Sequence, residues 1–247
     1  MKKIISNYLS ILPLALFCFL SSNVNANSGG HLEHANIDPY DQKSLQRGAK
    51  TFVNYCQGCH SLQYQRYNRL AKDLGLSEEE VLQNLILDGS KIHQHMMTSM
   101  TASAGEQYFS KVPPDLTLEA RSRGVDWIYS YLKGFYIDES RPFGVNNIVL
   151  KGAIMPHVLA DLQGLQEAKF EKHEDQLVFH EFELVKAGSL SAEEYDNTIR
   201  DLVNFLDYVA EPIKRERRRL GIYVLLFLAF FFGLTYMLKK EYWKDIH

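Results

Sequence analysis

Two cysteines and a histidine, Cys56-Gln57-Gly58-Cys59-His60, constrain this chain more than anything else in it. Both thiols and the imidazole must serve one place, so the fold is built around whatever they hold. Cysteines at this spacing serve a redox dithiol, a structural disulfide, half of a zinc site or a covalently bound haem. A zinc site needs further ligands, and the chain has neither a second cysteine pair nor a later histidine pair at three-to-five spacing. The third cysteine, Cys18, falls in a segment that reads as an export signal, so only Cys56 and Cys59 remain in the mature chain. A thioredoxin-type dithiol needs a βαβ setting, and a plain disulfide leaves His60 without a task. Covalent haem uses all three residues: thioethers from Cys56 and Cys59, and an axial imidazole from His60.

The export signal covers residues 1–26. Lys2 and Lys3 begin it, an apolar run from Tyr8 to Leu20 is broken at Pro13, and Val24-Asn25-Ala26 offers a small-residue cleavage site. A second apolar run, Leu220 to Leu238, has 19 residues without a charge and without a polar face. That length matches the hydrocarbon core of a bilayer, so 220–238 is expected to be a transmembrane helix. The expected domains are a haem domain over 27–212, a basic juxtamembrane segment over 213–219, the span, and a tail over 239–247. Lys214, Arg215, Arg217, Arg218 and Arg219 precede the span, and Lys239, Lys240 and Lys244 follow it. By charge alone the head would stay inside. The export signal decides otherwise, since a translocated N-terminus followed by one stop-transfer helix leaves the head in the periplasm and the tail in the cytoplasm. The basic cluster then faces anionic lipid head groups or a neighbouring subunit.

Charge is unevenly distributed. Asn27 to Glu211 carries 17 Lys and Arg against 27 Asp and Glu, a net of −10, while the whole chain is only −3. Such a head repels nucleic acid and suits a basic partner. The densest acidic stretch holds Glu167, Glu171, Glu174, Asp175, Glu181 and Glu183.

The head reads as mainly α-helical with long loops. After Asp38-Pro39 a helical pattern carries Leu45, Ala49, Phe52 and Val53 and runs into the cysteine motif. Ser77-Glu-Glu-Glu80 has capping-box spacing and opens a helix with Val81, Leu82, Leu85 and Ile86, closed by Asp88-Gly89. Residues 91–114 read as loop. Val125 to Phe135 reads as a helix stopped near Gly134, and Asp138 to Ala153 as an irregular loop. Gln176 to Val185 alternates like one strand, or a small hairpin around Lys186-Ala187-Gly188. Ser191-Ala-Glu-Glu194 opens an amphipathic helix with Ile199, Leu202, Val203, Leu206 and Val209, ended by Pro212.

What a haem iron does depends on its sixth ligand. Methionine sulfur favours reduced iron and leaves no open position, which suits electron transfer, whereas a vacant position suits peroxide or oxygen chemistry. The head offers Met96, Met97, Met100 and Met155. Met155 is favoured, because it sits in Gly152-Ala-Ile-Met-Pro-His157, where Pro156 stiffens the chain beside the sulfur.

Taken together, several features resemble the cytochrome c1 family. They are an exported head with the haem motif, Pro113-Pro114-Asp115-Leu116 followed by Arg121 and Arg123, and the Met155-Pro156 segment. The Leu202-Val-Asn-Phe-Leu206 helix ending in Ala210-Glu211-Pro212, and one C-terminal span, complete the pattern. The family's members are membrane-anchored haem subunits of the quinol:cytochrome c reductase, the cytochrome bc1 complex. The resemblance implies a cytochrome c-like fold whose first and last helices cross beside one haem c. It implies His60 and Met155 as iron ligands, Arg123 on a haem propionate, and Pro114 and Leu116 lining the pocket. It further implies cytochrome b and a Rieske iron–sulfur protein as partner subunits, and electron transfer from the latter to a periplasmic cytochrome c. The other readings are a free-standing membrane-anchored carrier, a haem subunit of a terminal oxidase, and a peroxidase-like haem enzyme.

Overall fold

A computed structural model describes residues 32–173 and 176–246. The expected signal segment, with its cleavage site, and Glu174 and Asp175 of the acidic stretch lie outside the described residues.

Two helices form the frame. α1 (Gln42–Tyr55) starts where the Asp41 carboxylate accepts from the amides of Lys43 and Ser44, and it buries Leu45, Gly48, Ala49, Phe52 and Val53 on one side. α8 (Ala192–Ala210) starts from a complete Ser191/Glu194 capping box and buries Ile199, Leu202, Val203, Phe205, Leu206 and Val209. The two cross at Gly48, where a Cβ would overlap the Asp201 carbonyl and the Phe205 side chain, so only glycine admits the approach. The crossing is fastened by Arg47 Nη2 on Asp201 Oδ1 at 2.9 Å and by the Phe52 and Phe205 rings, with centroids 5.9 Å apart. Asn204, fully buried, donates to the Asp38 carbonyl and to Ser44 Oγ.

Smaller elements wrap this pair. β1 (Leu62–Arg66) leads directly into α2 (Tyr67–Leu74), and α3 (Glu78–Asn84) follows with the expected Ser77/Glu80 capping box. α3 ends four residues before Asp88, and its Leu82 is exposed. Residues 91–114, expected to be loop, contain β2 (His95–Met96), antiparallel to β1, and α4 (Ala102–Phe109), capped by the Thr101 hydroxyl. The strand is only two residues long and the helix carries one buried residue, Gly105, so neither leaves a periodic apolar signature.

α5 (Glu119–Arg123) and α6 (Val125–Lys133) pack on α8, and α6 ends at Gly134 as expected. The supposedly irregular segment after it contains β4 (Val145–Asn147), paired with β3 (Phe135–Ile137). After the short α7 (Ala160–Gln163) comes a long antiparallel hairpin of β5 (Gly164–His173) and β6 (Gln176–Ala187). The strand at 176–185 was expected; its partner lies before it in the chain, and the turn expected at Lys186-Ala187-Gly188 is not a hairpin turn. Gln166 Nε2 anchors β5 by donating to the carbonyls of Lys133 and Phe135 at 3.0 and 2.8 Å. Phe170 packs on Phe179, which packs on Phe182, and Tyr136 meets Phe170 edge-on.

α9 (Lys214–Tyr242) takes in the basic segment and the apolar run as one helix, and a short 3-10 turn over Lys244–Ile246 closes the described chain. Glu216–Tyr242 is long and apolar enough to cross a membrane, and none of its most apolar stretch is buried. The junction with the head is ionic: Lys214 Nζ sits 2.8 Å from Asp207, and Arg217 pairs with Glu211. At least these two of the five basic residues are therefore engaged by the end of α8.

Candidate haem-binding site

The motif is the continuation of α1. Cys56 caps the helix with its N–H on the Phe52 carbonyl, and the amides of Cys59 and His60 both return to the Cys56 carbonyl. This single turn puts the two thiols and the imidazole on a short, stiff stretch of backbone, as a pair of thioether bonds and an axial ligand demand. Both cysteines are unpaired. Burial pushes the Cys56 thiol up to about 12, with the neighbouring Cys59 adding to the shift, and raises the Cys59 thiol as well.

Two loops hold the turn. From one side, Thr98 Oγ1 donates to the Gly58 carbonyl and the Thr98 amide donates to Ser61 Oγ, both at 2.8 Å. Gln57 is buried and gives its amide to Tyr67 Oη at 2.6 Å and to the Met97 carbonyl. From the other side comes Pro113-Pro114-Asp115-Leu116. The Leu116 amide donates to the Ser61 carbonyl, and Asp115 accepts from the amides of Gln63 and Thr117. The Pro114 carbonyl, thus fixed, accepts from His60 Nδ1–H at 2.7 Å.

That bond is the test of fit. With Nδ1 spent on a backbone carbonyl, Nε2 carries the lone pair available to a metal, the usual arrangement of a ligating histidine. Burial lowers the His60 pKa, which keeps the imidazole neutral. The donor set fits a haem iron approached from the His60 side.

The remaining expected residues are distributed as follows. Leu116 is half-buried against the core, and Pro114 is exposed and serves through its carbonyl. Met155 is half-buried and packed on the core, whereas Met96 is fully buried and Met97 is largely exposed. Met100 is half-buried, its amide on Thr98 Oγ1. Arg123 pairs its Nε with Glu119 at 2.8 Å and lies 4.4 Å over the Trp127 ring, which stacks on Tyr131. Its two Nη groups are uncommitted among the described residues. Gln57, Ser61, Tyr67 and Thr98, which hold the motif in place, left no signal in the sequence, because their partners are backbone groups and side chains up to 40 residues away. Asp115 was visible only as part of the Pro-Pro-Asp-Leu string.

Known proteins match along the whole chain. The Cytochrome C1 family matches residues 33–98 and 89–246. A protein named cytochrome c1 from Allochromatium vinosum is 52% identical, covering 100% of this chain and 99% of the relative. A protein of Nitrosomonas europaea named ammonia monooxygenase gamma subunit is 45% identical over 96% of this chain and 99% of its own length. A Bradyrhizobium diazoefficiens protein named cytochrome b/c1 is 28% identical over 94% of this chain, which matches 39% of that longer relative.

Proposed function

We propose, from the premise that this chain belongs to the cytochrome c1 family, that it carries electrons from a Rieske iron–sulfur protein to a periplasmic cytochrome c. Membership makes it a haem c subunit of a bc1-type oxidoreductase complex that works with cytochrome b and, with its apolar helix, a single-pass membrane protein. The direction of electron flow, the two redox partners and the periplasmic placement of 27–212 are the proposed part. So are the domain limits at 26, 212, 219 and 238.

The observation that carries the reading is the His60 Nδ1–H bond to the Pro114 carbonyl at the end of a rigid motif turn. Bound haem supplies a one-electron couple. The chain's own residues do the rest. Cys56 and Cys59 hold the group covalently, so it cannot dissociate between turnovers. His60 ligates through Nε2, with its ring fixed by Pro114. Met155, on a loop stiffened by Pro156, would hold the iron through its sulfur, a soft donor that would favour the reduced state. Arg123 offers its free Nη groups to a propionate while Glu119 and Trp127 hold its stem. Leu116 lines the pocket. The net −10 of the head speeds encounter with a basic carrier without making the complex tight, as turnover requires.

The relative named as an ammonia monooxygenase subunit invites a different reading, a part in an oxygen-using enzyme. With His60 and Met155 both holding the iron, a gas would find no place on it, so inertness of the reduced protein to carbon monoxide would favour electron transfer. The deciding experiment is gentle detergent purification from native membranes with mass spectrometry of the accompanying subunits. Cytochrome b and an iron–sulfur protein in equal amounts are expected; a lone haem protein, or one arriving with oxidase subunits, overturns the assignment.

A further inference from the structure

The segment 138–153, irregular in sequence, is a hydrogen-bonded scaffold that holds the two peptide groups flanking Gly152, three residues before Met155. Gly152 has φ +81, a left-handed backbone that other residues resist, and both of its polar groups are held. Its N–H donates to Asn146 Oδ1 at 2.8 Å, and its carbonyl accepts from Arg141 Nη2 at 2.9 Å. Asn146 is 5% exposed and bonded through both its oxygen and its nitrogen: Oδ1 also accepts from the Asn147 amide, and Nδ2 donates to Asp138 Oδ2 at 2.8 Å. Asp138 is itself fixed by the amide and hydroxyl of Ser140. Asn147, 1% exposed, ties the same ribbon to the Tyr131 carbonyl and accepts from the amides of Val149 and Leu150. Beyond the methionine, the His157 ring stacks on Phe135 at 5.0 Å and an interplanar angle of 7°, and Leu159 is buried. The loop bearing Met155 is therefore pinned at both ends to one ribbon, β3–β4, which runs Phe135–Ile137 and Val145–Asn147.

We infer that Asn146, through Gly152, is the positioning residue that keeps the Met155 sulfur on the haem iron. This rests on the reading of Met155 as the sixth ligand. A thioether is a weak donor on a flexible side chain, so its occupancy of the iron depends on how little the backbone behind it moves. A buried asparagine that accepts from the Gly152 amide and is itself oriented by a carboxylate restricts that backbone three residues before the ligand, next to the Ala153 amide held by the Leu150 carbonyl.

The test uses the full-length haem-loaded protein in native membranes. Asn146→Ala is expected to open the reduced iron to carbon monoxide and lower the midpoint potential in the direction of Met155→Ala, while the haem stays attached. Asn146→Asp sets a carboxylate against Asp138 and is expected to do the same. The exchange Asn146→Asp with Asp138→Asn restores one donor and one acceptor between the pair and is expected to close the iron again. A haem-loaded Asn146→Ala protein with wild-type potential and no carbon monoxide binding overturns the inference. If Asn146→Ala does not accumulate, the decision passes to Asn146→Asp and the exchange, and equal behaviour of those two overturns it. Met155→Ala is measured alongside: if it too leaves the iron closed, the ligand assignment has failed rather than the scaffold.

Discussion

The Nδ1–H of His60 is spent on the Pro114 carbonyl, so the rotation and tautomer of the ring are fixed by backbone before any ligand arrives. That carbonyl is held in turn by Asp115, which accepts two amides, and by the Leu116 amide on Ser61. Asp115→Ala should therefore act on the iron without touching it. A carbonyl that no longer pulls on Nδ1–H makes the imidazole a poorer donor, so the midpoint potential is expected to rise, with a stability loss of about 1–2 kcal/mol for the lost hydrogen bonds. An unshifted potential in a redox titration would show that the two prolines hold the carbonyl alone. Met155→Ala has the opposite sign. With Met155 as the proposed ligand, loss of the soft sulfur is expected to lower the potential by a sizeable part of the ~0.8 V that axial ligands span and to let the reduced protein bind carbon monoxide. The motif turn and the Pro114 string were legible because each is marked by a neighbour of unusual chemistry, and the proposal for Met155 rests on the same kind of signal, the adjacent Pro156. Asn146 was not legible, because an asparagine in a Gly- and Pro-containing stretch reads as turn until its partners are seen.

The α1–α8 crossing is where the elements commit to one arrangement. Gly48→Ala forces a methyl into the Asp201 carbonyl, and the helices must part or bend. A loss of about 1–3 kcal/mol, the usual cost of overpacking, is expected in thermal unfolding followed by far-ultraviolet circular dichroism. Pro212 and the Ser191/Glu194 box bound α8, and the box makes its start sensitive to acid. The Ser191 amide and hydroxyl both donate to Glu194 and hold its pKa below the ordinary carboxylate value. With the folded value lowered, the stabilisation is complete above the ordinary value and fades as pH falls through the lowered one. Glu194→Gln keeps a box-type acceptor without the charge, so its melting temperature should fall less than wild type between pH 6 and about 3. Parallel curves would refute this. α1, α6 and α8 were legible from caps and apolar spacing. β5 was not, since Gly164–His173 is rich in Gln, Glu, Lys and Ala, residues that favour helix. It is a strand because Gln166 bonds two carbonyls of the preceding elements and Phe170 joins the Phe179–Phe182 cluster.

At the scale of the molecule, an acidic head is joined through paired charges to a helix with no buried apolar stretch. Ending the chain after Pro212 removes that helix and the ion pairs of Asp207 and Glu211 but leaves the apolar packing of α8, so the haem domain is expected in the soluble fraction with its haem spectrum retained. A truncated protein still bound to membranes would mean that the head has its own contact with the bilayer. The sequence by itself determined what is local: a haem motif defined by five consecutive residues, a span defined by 19 uncharged ones, and capping boxes defined by spacings of three. Each depends on the chemistry of neighbours along the chain, which any fold must respect. Only the tertiary structure decided what depends on neighbours through space. It set the strand partner of β6, the glycine at which the frame helices touch, the carbonyl that orients His60, and the asparagine that holds the loop of Met155. Those contacts join residues from three to more than 150 positions apart, where composition and periodicity carry no information about which atoms will meet.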